Sequence, residues 1–237
     1  MTRKALSLRK VCKAYRTATV EIDALVDIDL DVPDGAFVAI MGRSGSGKST
    51  LLNVMSLVDH ATGGSFSFLG REVAGLHERG LAALRRRYSS YIFEDVRLVD
   101  ALTVQANVKL GLCYRDIPAG ERLDRVEQAM DAAGIGHRAR HPVHELSAGQ
   151  QRRVEIARAL VSRPRILFAD EPAGSLDGHA ADQLMRVLRT LNRTGTTIVM
   201  TTHSAECAAG AGQIVYLAEG LSLDIRALTT GRPRAVA

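Results

Sequence analysis

The stretch Gly42-Arg43-Ser44-Gly45-Ser46-Gly47-Lys48-Ser49-Thr50 follows the apolar run Ala36-Phe37-Val38-Ala39-Ile40-Met41 and precedes Leu51-Leu52-Asn53-Val54-Met55. It fits G-x-x-x-x-G-K-[ST] and reads as strand, loop, helix. Glycines let consecutive backbone N–H groups close around phosphate oxygens with no Cβ in the way, at the positive end of a helix dipole. In that pattern Lys48 supplies a mobile cation for the β- and γ-phosphates, and Ser49 a hydroxyl for Mg²⁺. A chance glycine-rich turn would not be framed by an apolar strand and an apolar helix. The stretch therefore predicts a nucleoside triphosphate site, and the rest of the chain must say which hydrolase carries it.

The 237 residues, 46% of them hydrophobic, are enough to bury a full core in one large or two closely joined domains. No run approaches the roughly 18 apolar residues of a membrane span, and Met1-Thr2-Arg3-Lys4-Ala5-Leu6-Ser7-Leu8-Arg9 lacks an apolar signal core, so a cytosolic chain is expected. Cys12, Cys113 and Cys207 lie far apart with no C-x-x-C, which predicts buried or inert thiols and no disulfide frame. The net charge of +5 suits nucleic acid, an anionic membrane face or a solvated surface. Its densest cluster, Arg85-Arg86-Arg87, ends the helical stretch Glu78 to Arg87 and leads into Tyr88-Ser89-Ser90-Tyr91-Ile92-Phe93, which reads as a strand. Aromatics of a half-buried strand are not available to stack on bases, so a solvated helix end is expected and no nucleic-acid partner.

Leu6-Ser7-Leu8 and Ile28-Asp29-Leu30-Asp31-Val32 alternate apolar and polar, and Pro33-Asp34-Gly35 is a turn, so an N-terminal β portion precedes the phosphate loop. Tyr15, upstream of that turn, is either an ordinary strand aromatic or a ring that stacks on a purine. Helical spacing recurs from Leu76 to Arg87 and from Arg122 to Ala133, where Leu123, Val126, Ala129 and Met130 mark one face; between Glu94 and Ile117 the pattern loosens. Residues 95–160 are expected to form a helical subdomain inserted in an α/β core, within a single domain spanning 1–237. Its last helix has Ser147 as N-cap with Gln150 at capping-box spacing, and Val154, Ala157, Leu160 and Val161 as its buried stripe.

Ile166-Leu167-Phe168-Ala169 is an unbroken apolar run ending in Asp170-Glu171-Pro172, as in a strand buried on both faces of a parallel sheet. A helix from about His179 to Asn192, with Leu184, Val187, Leu188 and Leu191 as its stripe, leads to the strand Thr196 to Met200 and then Thr201-Thr202-His203. In such sheets ligands bind beyond the carboxyl ends of the strands, so the loop, the acids and the histidine should converge. Hydrolysis needs a phosphate cradle, a metal across the β and γ oxygens, and a water in line with the γ-phosphorus. Asp170 would hold Mg²⁺ with Ser49, Glu171 would orient and polarise the attacking water, and His203 would donate to the γ-phosphate. His137, His141 and His144 have near-helical spacing, but Pro142 breaks the helix a metal cluster would need.

Leu146-Ser147-Ala148-Gly149-Gln150, followed by Gln151-Arg152-Arg153-Val154-Glu155-Ile156-Ala157-Arg158-Ala159-Leu160, resembles the signature motif of ATP-binding cassette (ABC) ATPases. With the phosphate loop, Ile166 to Pro172, Ser175-Leu176-Asp177 and His203 in the family's order, the resemblance covers nearly the whole chain. Within the family, Ser44 to Asn53, Leu102-Thr103-Val104 through Asn107-Val108, and Ala169 to Pro172 resemble the ATPase subunits of lipoprotein-releasing and macrolide-exporting transporters. The resemblance implies a P-loop NTPase core with a mostly parallel sheet, an N-terminal antiparallel β portion and an inserted helical subdomain. It implies two cassettes, copies or close relatives, paired head to tail around two Mg·ATP, peripheral on the inner face of the cell membrane and driving a permease on a separate chain. Ser147, Ala148 and Gly149, with Gln150, would then serve the partner's nucleotide, Tyr15 would stack on adenine, and Asp177 would lie in the loop that crosses the interface.

Two positions depart from the family pattern. Tyr91-Ile92-Phe93-Glu94 stands where the family usually has Phe-x-Phe-Gln, a glutamine that touches Mg²⁺ and the water and links the site to the membrane partner. Glu94 facing the γ-phosphate at roughly 4 Å would add about 4 kcal/mol of repulsion at an effective dielectric of 20, or attraction with Mg²⁺ between them. Retained metal binding with altered coupling is expected; a regulatory or non-transport cassette with weakened turnover is the alternative. Ala148, in place of the commoner glycine, adds one methyl beside the phosphate and should be tolerated. The cargo is expected to be hydrophobic, lipidated or peptide-like.

Overall fold

The computed structural model describes residues 3–16, 21–174 and 176–227, the last six of them as backbone only. The expected tail at 229–237 and Ser175 lie outside the described residues. Alternating apolar residues make β1 (Lys4–Arg16) and β2 (Glu21–Pro33) an antiparallel pair, with Leu6 opposite Val32 and Leu8 opposite Leu30. β3 (Phe37–Met41) leads through the glycine loop into α1 (Lys48–Met55), followed by β4 (Gly63–Phe68), β5 (Arg71–Glu72), α2 (Glu78–Tyr88) and β6 (Ser89–Ile92). Three helices come next: α3 (Val104–Leu110), α4 (Ala119–Ala132) and α5 (Ala148–Leu160). The chain returns through β7 (Ile166–Asp170), α6 (Gly178–Arg193), β8 (Thr197–Thr202), α7 (Ala205–Ala208), β9 (Gln213–Ala218) and β10 (Leu221–Ala227).

The strands form two sheets, one antiparallel with order β2-β1-β4-β5 and one of six strands with order β10-β9-β3-β8-β7-β6. The second is parallel from β9 to β6, and only the β9–β10 pair is antiparallel. The pleat sends alternate residues of one strand into two different cores. Leu167 and Ala169 of β7 join the core formed with α3, α4, α5, α6 and α7, whereas Ile166 and Phe168 join the core formed with the antiparallel sheet, α1 and α2. Phe37 and Ala39 of β3 divide from Val38 and Ile40 in the same way. The fold is thus the expected α/β class, with the parallel sheet sandwiched between an antiparallel sheet and a layer of helices.

The loosened pattern between Glu94 and Ile117 hides α3. Thr103 caps it by accepting from Ala106 N, and the buried Asn107 binds Val99 through both its N–H and its carbonyl, at 2.9 and 3.0 Å. On α4 the expected face needs one correction. Leu123 is 54% exposed, so the buried side consists of Val126, Ala129 and Met130, continued by Ala133. On α6 the buried residues are Leu184, Met185 and Leu188, with Val187 and Leu191 only half-buried. Of the three free thiols, Cys207 is buried, Cys12 half-buried and Cys113 exposed.

The approach of α3 to α5 leaves no room for a side chain at Gly111, just past the end of α3. An added Cβ would collide with Arg158 O and lie 2.6 Å from Val161 Cγ1. Gly111→Ala should therefore lower stability by about 1–3 kcal/mol in urea denaturation. Gly120→Ala, where a Cβ meets nothing within 4 Å, should raise it by about 0.4–1 kcal/mol.

Candidate functional site

The glycines of the loop are fixed by geometry. At Gly42 a Cβ would strike Leu217 O and come within 2.5 Å of Ser46 Oγ; at Gly47, with φ +93°, it would come within 2.6 Å of Ala24 O. Gly45 also has a positive φ of +78°, but a Cβ there would meet nothing within 4 Å, so it faces open space. α1 starts at Lys48 with no side-chain cap, which leaves its first N–H groups directed at a ligand. The Lys48 ammonium donates to Gly42 O and Arg43 O, both at 3.0 Å, and so lies folded over the loop. Ser46 Oγ is buried without a hydrogen-bond partner.

Beyond the carboxyl ends of β7 and β8 lies a second group. Asp170 is 7% exposed, and its Oδ1 accepts from Ser49 Oγ at 3.1 Å and from Thr201 Oγ1 at 2.5 Å. The same Thr201 hydroxyl accepts from Glu171 N at 3.0 Å. Glu171 has a left-handed backbone, φ +41°, a conformation that costs a non-glycine residue energy and that the surrounding bonds must hold in place. Its Oε2 lies 2.9 Å from His203 Nδ1 and accepts from His203 N at 3.3 Å. Hydroxyl and carboxylate oxygens in contact are a hard donor set suited to Mg²⁺, and the glycine cradle suits a triphosphate.

Gly45, Lys48, Ser49, Thr50, Glu94, Glu171 and His203 line one cleft of about 800 Å³. Ser44 and Gly47 line it as well, while Gly42, Arg43 and Ser46 of the same loop, and Asp170, are not among its lining residues. Tyr15 stands outside the lining. It is 41% exposed, donates to Asp59 Oδ2 at 3.0 Å and carries the Lys13 ammonium 4.9 Å from its ring centre. Burial pushes the Asp59 carboxyl up, but bonds from Lys13, His60 N and Tyr15 outweigh it and hold the group below its ordinary value. Ile22, opposite Tyr15 in the β1–β2 register, does line the cleft, together with Asp23, Ala24, Glu219 and Gly220. Sequence reading missed these residues, and it gave Thr201 no role.

Ser147, Ala148, Gly149, Gln150 and Asp177 do not line the cleft. Ser147 caps α5 in a two-way box: its Oγ accepts from Gln150 N at 3.4 Å, and Gln150 Oε1 accepts from Ser147 N at 3.1 Å. Asp177 caps α6, accepting from Ala180 N at 2.8 Å. His141 pairs with Arg138 at 3.0 Å and His144 faces Asp100 O at 3.5 Å. A second concavity of about 820 Å³ lies between α2, β6 and the end of α3, lined by Arg79, Arg85, Arg86, Arg115, Arg158 and Tyr114 and by no carboxylate. It is as large as the cleft but, unlike the cleft, brings no acid beside a base.

A family described as ABC transporter matches residues 25–174. The chain is 41% identical over 221 residues to the macrolide export ATP-binding/permease protein MacB of Bradyrhizobium diazoefficiens, covering 93% of this chain and 34% of that protein. It thus spans about a third of the length of such relatives. It is 39% identical over 215 residues to the uncharacterized ABC transporter ATP-binding protein YknY of Bacillus subtilis, covering 91% of this chain and 94% of that one. Among solved structures, the dimeric ABC transporter cassette MJ0796 superposes with a TM-score of 0.89 at 34% identity, over 95% of this chain and all of that one. A post-hydrolysis state of the same cassette, bound to ADP and Pi, superposes equally well. The chain belongs to the ABC transporter family, as an ATP-binding, ATP-hydrolysing cassette.

Thr201 binds both acids, so replacing its hydroxyl with a methyl leaves the buried Asp170 and the Glu171 N–H each one bond short. Thr201→Val should lower stability by about 2–4 kcal/mol in urea denaturation, while Thr201→Ser stays within about 1 kcal/mol of the parent.

Proposed function

We propose that the chain is the ATPase cassette of a membrane transporter: two cassettes pair head to tail around two Mg·ATP, and hydrolysis drives a permease. The observation that carries this reading is the contact of the buried Asp170 with Ser49, which lines the cleft together with Lys48 and the Glu171–His203 pair. Lys48 binds the β- and γ-phosphates by leaving the loop carbonyls it now touches. Ser49 and Asp170 would hold Mg²⁺, which would supply positive charge to the phosphate oxygens. Glu171 takes the proton from the attacking water, and its left-handed backbone aims the carboxylate at His203 and at the cleft. His203 donates to the γ-phosphate, and Tyr15, steadied by Asp59 and Lys13, stacks on the adenine.

The signature residues Ser147, Ala148, Gly149 and Gln150, and Asp177 at the head of α6, lie outside their own chain's cleft and serve the nucleotide of the opposite cassette. The dimeric neighbour supports this pairing. The Bacillus subtilis relative is an ATP-binding protein spanned over nearly its whole length, which supports a permease on another chain, whereas MacB proteins combine both parts. The cassette then sits on the cytoplasmic face of the membrane; among the described residues no helix is long and apolar enough to cross it. The permease contacts the face around residues 94–110; the arginine-lined concavity that adjoins it at Leu110, between α2, β6 and the end of α3, suits an acidic segment. Macrolides in the relatives' names support an exported, hydrophobic cargo.

Glu171→Gln should lower ATPase by roughly 10²–10⁴-fold, the range for a positioned general base, while ATP binding and closed-dimer formation persist. Near-normal phosphate release by that variant would remove Glu171 from the mechanism. Glu94→Gln, measured with and without the permease, should change transport-stimulated turnover more than basal turnover. Equal effects on both would favour the regulatory cassette with weakened turnover.

A further inference from the structure

Arg152 is among the largest fully buried side chains, 1% exposed, and it does not face the nucleotide cleft. Its guanidinium bridges three groups: Nη1 donates to Glu155 Oε2 at 2.7 Å and to Phe93 O, and Nη2 donates to Glu94 O. Glu155 is also fully buried, and Arg158 Nη2 lies 3.8 Å from its other oxygen. Burial pushes the Glu155 carboxyl up, against the pull of Arg152, Arg158 and the N–H groups of Phe93 and Arg97. The segment is held from its other side as well: Phe93 stacks on Tyr91 at 4.4 Å, and the Arg97 guanidinium lies 4.5 Å over the Phe93 ring.

Placing a full ion pair in a core is expensive, and apolar residues of equal volume commonly replace such pairs at no loss of stability. What they cannot replace is the fork of donors that fixes two successive carbonyls of another segment. Arg152 and Glu155 lie on α5, one to just over two turns beyond Ser147. The carbonyls that Arg152 holds belong to the segment that carries Glu94 into the nucleotide cleft. We propose that Arg152 and Glu155 are positioning residues: the pair locks the Glu94 segment to the signature helix, so that the helix end facing the second cassette and the Glu94 carboxylate move as one body. The proposal rests on the reading of Ser147 and Glu94 given above, and it names how one reports to the other.

Removing Arg152 alone would strand a buried carboxylate, so the test uses the double variant Arg152→Met, Glu155→Leu, which leaves no unpaired charge, beside Arg152→Lys. Hydrogen exchange on the nucleotide-free protein reads the lock itself. Amides of 94–98 should exchange at least ~10-fold faster in the double variant, while those of β7 and β8 keep their protection. Steady-state ATPase reads its consequence: kcat should fall ~10-fold with KM for ATP within ~2-fold of the parent, because the phosphate loop is untouched. Arg152→Lys should show the same loss, since one ammonium cannot span two carbonyls and a carboxylate. Unchanged exchange at 94–98 overturns the lock. Faster exchange with unchanged kcat overturns the coupling to turnover, although the cassette reading itself survives. Loss of protection throughout the protein marks the pair as merely structural and also overturns it. Failure of the cassette reading would show separately, as parent protein that releases no phosphate with or without a permease.

Discussion

The carboxylate of Asp170 is the point on which the site depends. A carboxylate buried to 7% exposure costs several kcal/mol unless hydrogen bonds replace its water, and the bonds available come from two other elements. Ser49 reaches it from the first turn of α1, and Thr201 from the end of β8. Strand β7 can therefore end in an acid only if α1 and β8 are in register with it. The parallel ladders provide that register, setting Asp170 opposite Thr201 and Met41 opposite Thr202. The phosphate loop follows directly from Met41, so the pairing that satisfies the acid also brings the loop to it.

The next residue turns that constraint into chemistry. Glu171 would continue the strand in the extended region, but its φ of +41° turns the chain out of the sheet. Thr201 holds its N–H and His203 holds its carboxylate, so the strained backbone is over-determined from both sides. One hydroxyl thus binds the acid suited to a metal and the backbone of the acid suited to a base. The cost of the strain falls on a residue whose direction matters for the proposed mechanism.

Much of this was legible in the sequence because it is local. The phosphate loop, the two-faced burial of β7, the Ser147–Gln150 capping box and α6 all follow from spacing within ten residues or so. What was not legible arises between segments far apart in sequence. α3 is short and is secured by Asn107 reaching back to Val99, an interaction that leaves no helical period. Leu123 has the spacing of a core residue, yet the surface of α4 that faces α5 begins three residues later, so it stays exposed. Thr201 and Arg152 act on residues about 30 and 60 positions away; a threonine in a strand or an arginine in a helix carries no mark of such a partner.

In the proposed mechanism, the balance of charge in the cleft gives Glu94 a reason to be held in a fixed position. Asp23, Glu94, Asp95, Glu171 and Glu219 all line it, against Lys48 and His203. A triphosphate adds further negative charge to a site where carboxylates already outnumber cations, and each pair at about 4 Å contributes roughly 1 kcal/mol in water and 4 kcal/mol at an effective dielectric of 20. The exposed acids at the rim are screened and contribute little. A carboxylate carried toward the phosphates by a moving segment passes from the first regime to the second, and its sign depends on whether a cation lies between. On the proposed role, Glu94 acts with a strength set by where its backbone is held, and in this chain the carbonyls of Phe93 and Glu94 are gripped by the Arg152 guanidinium in the core.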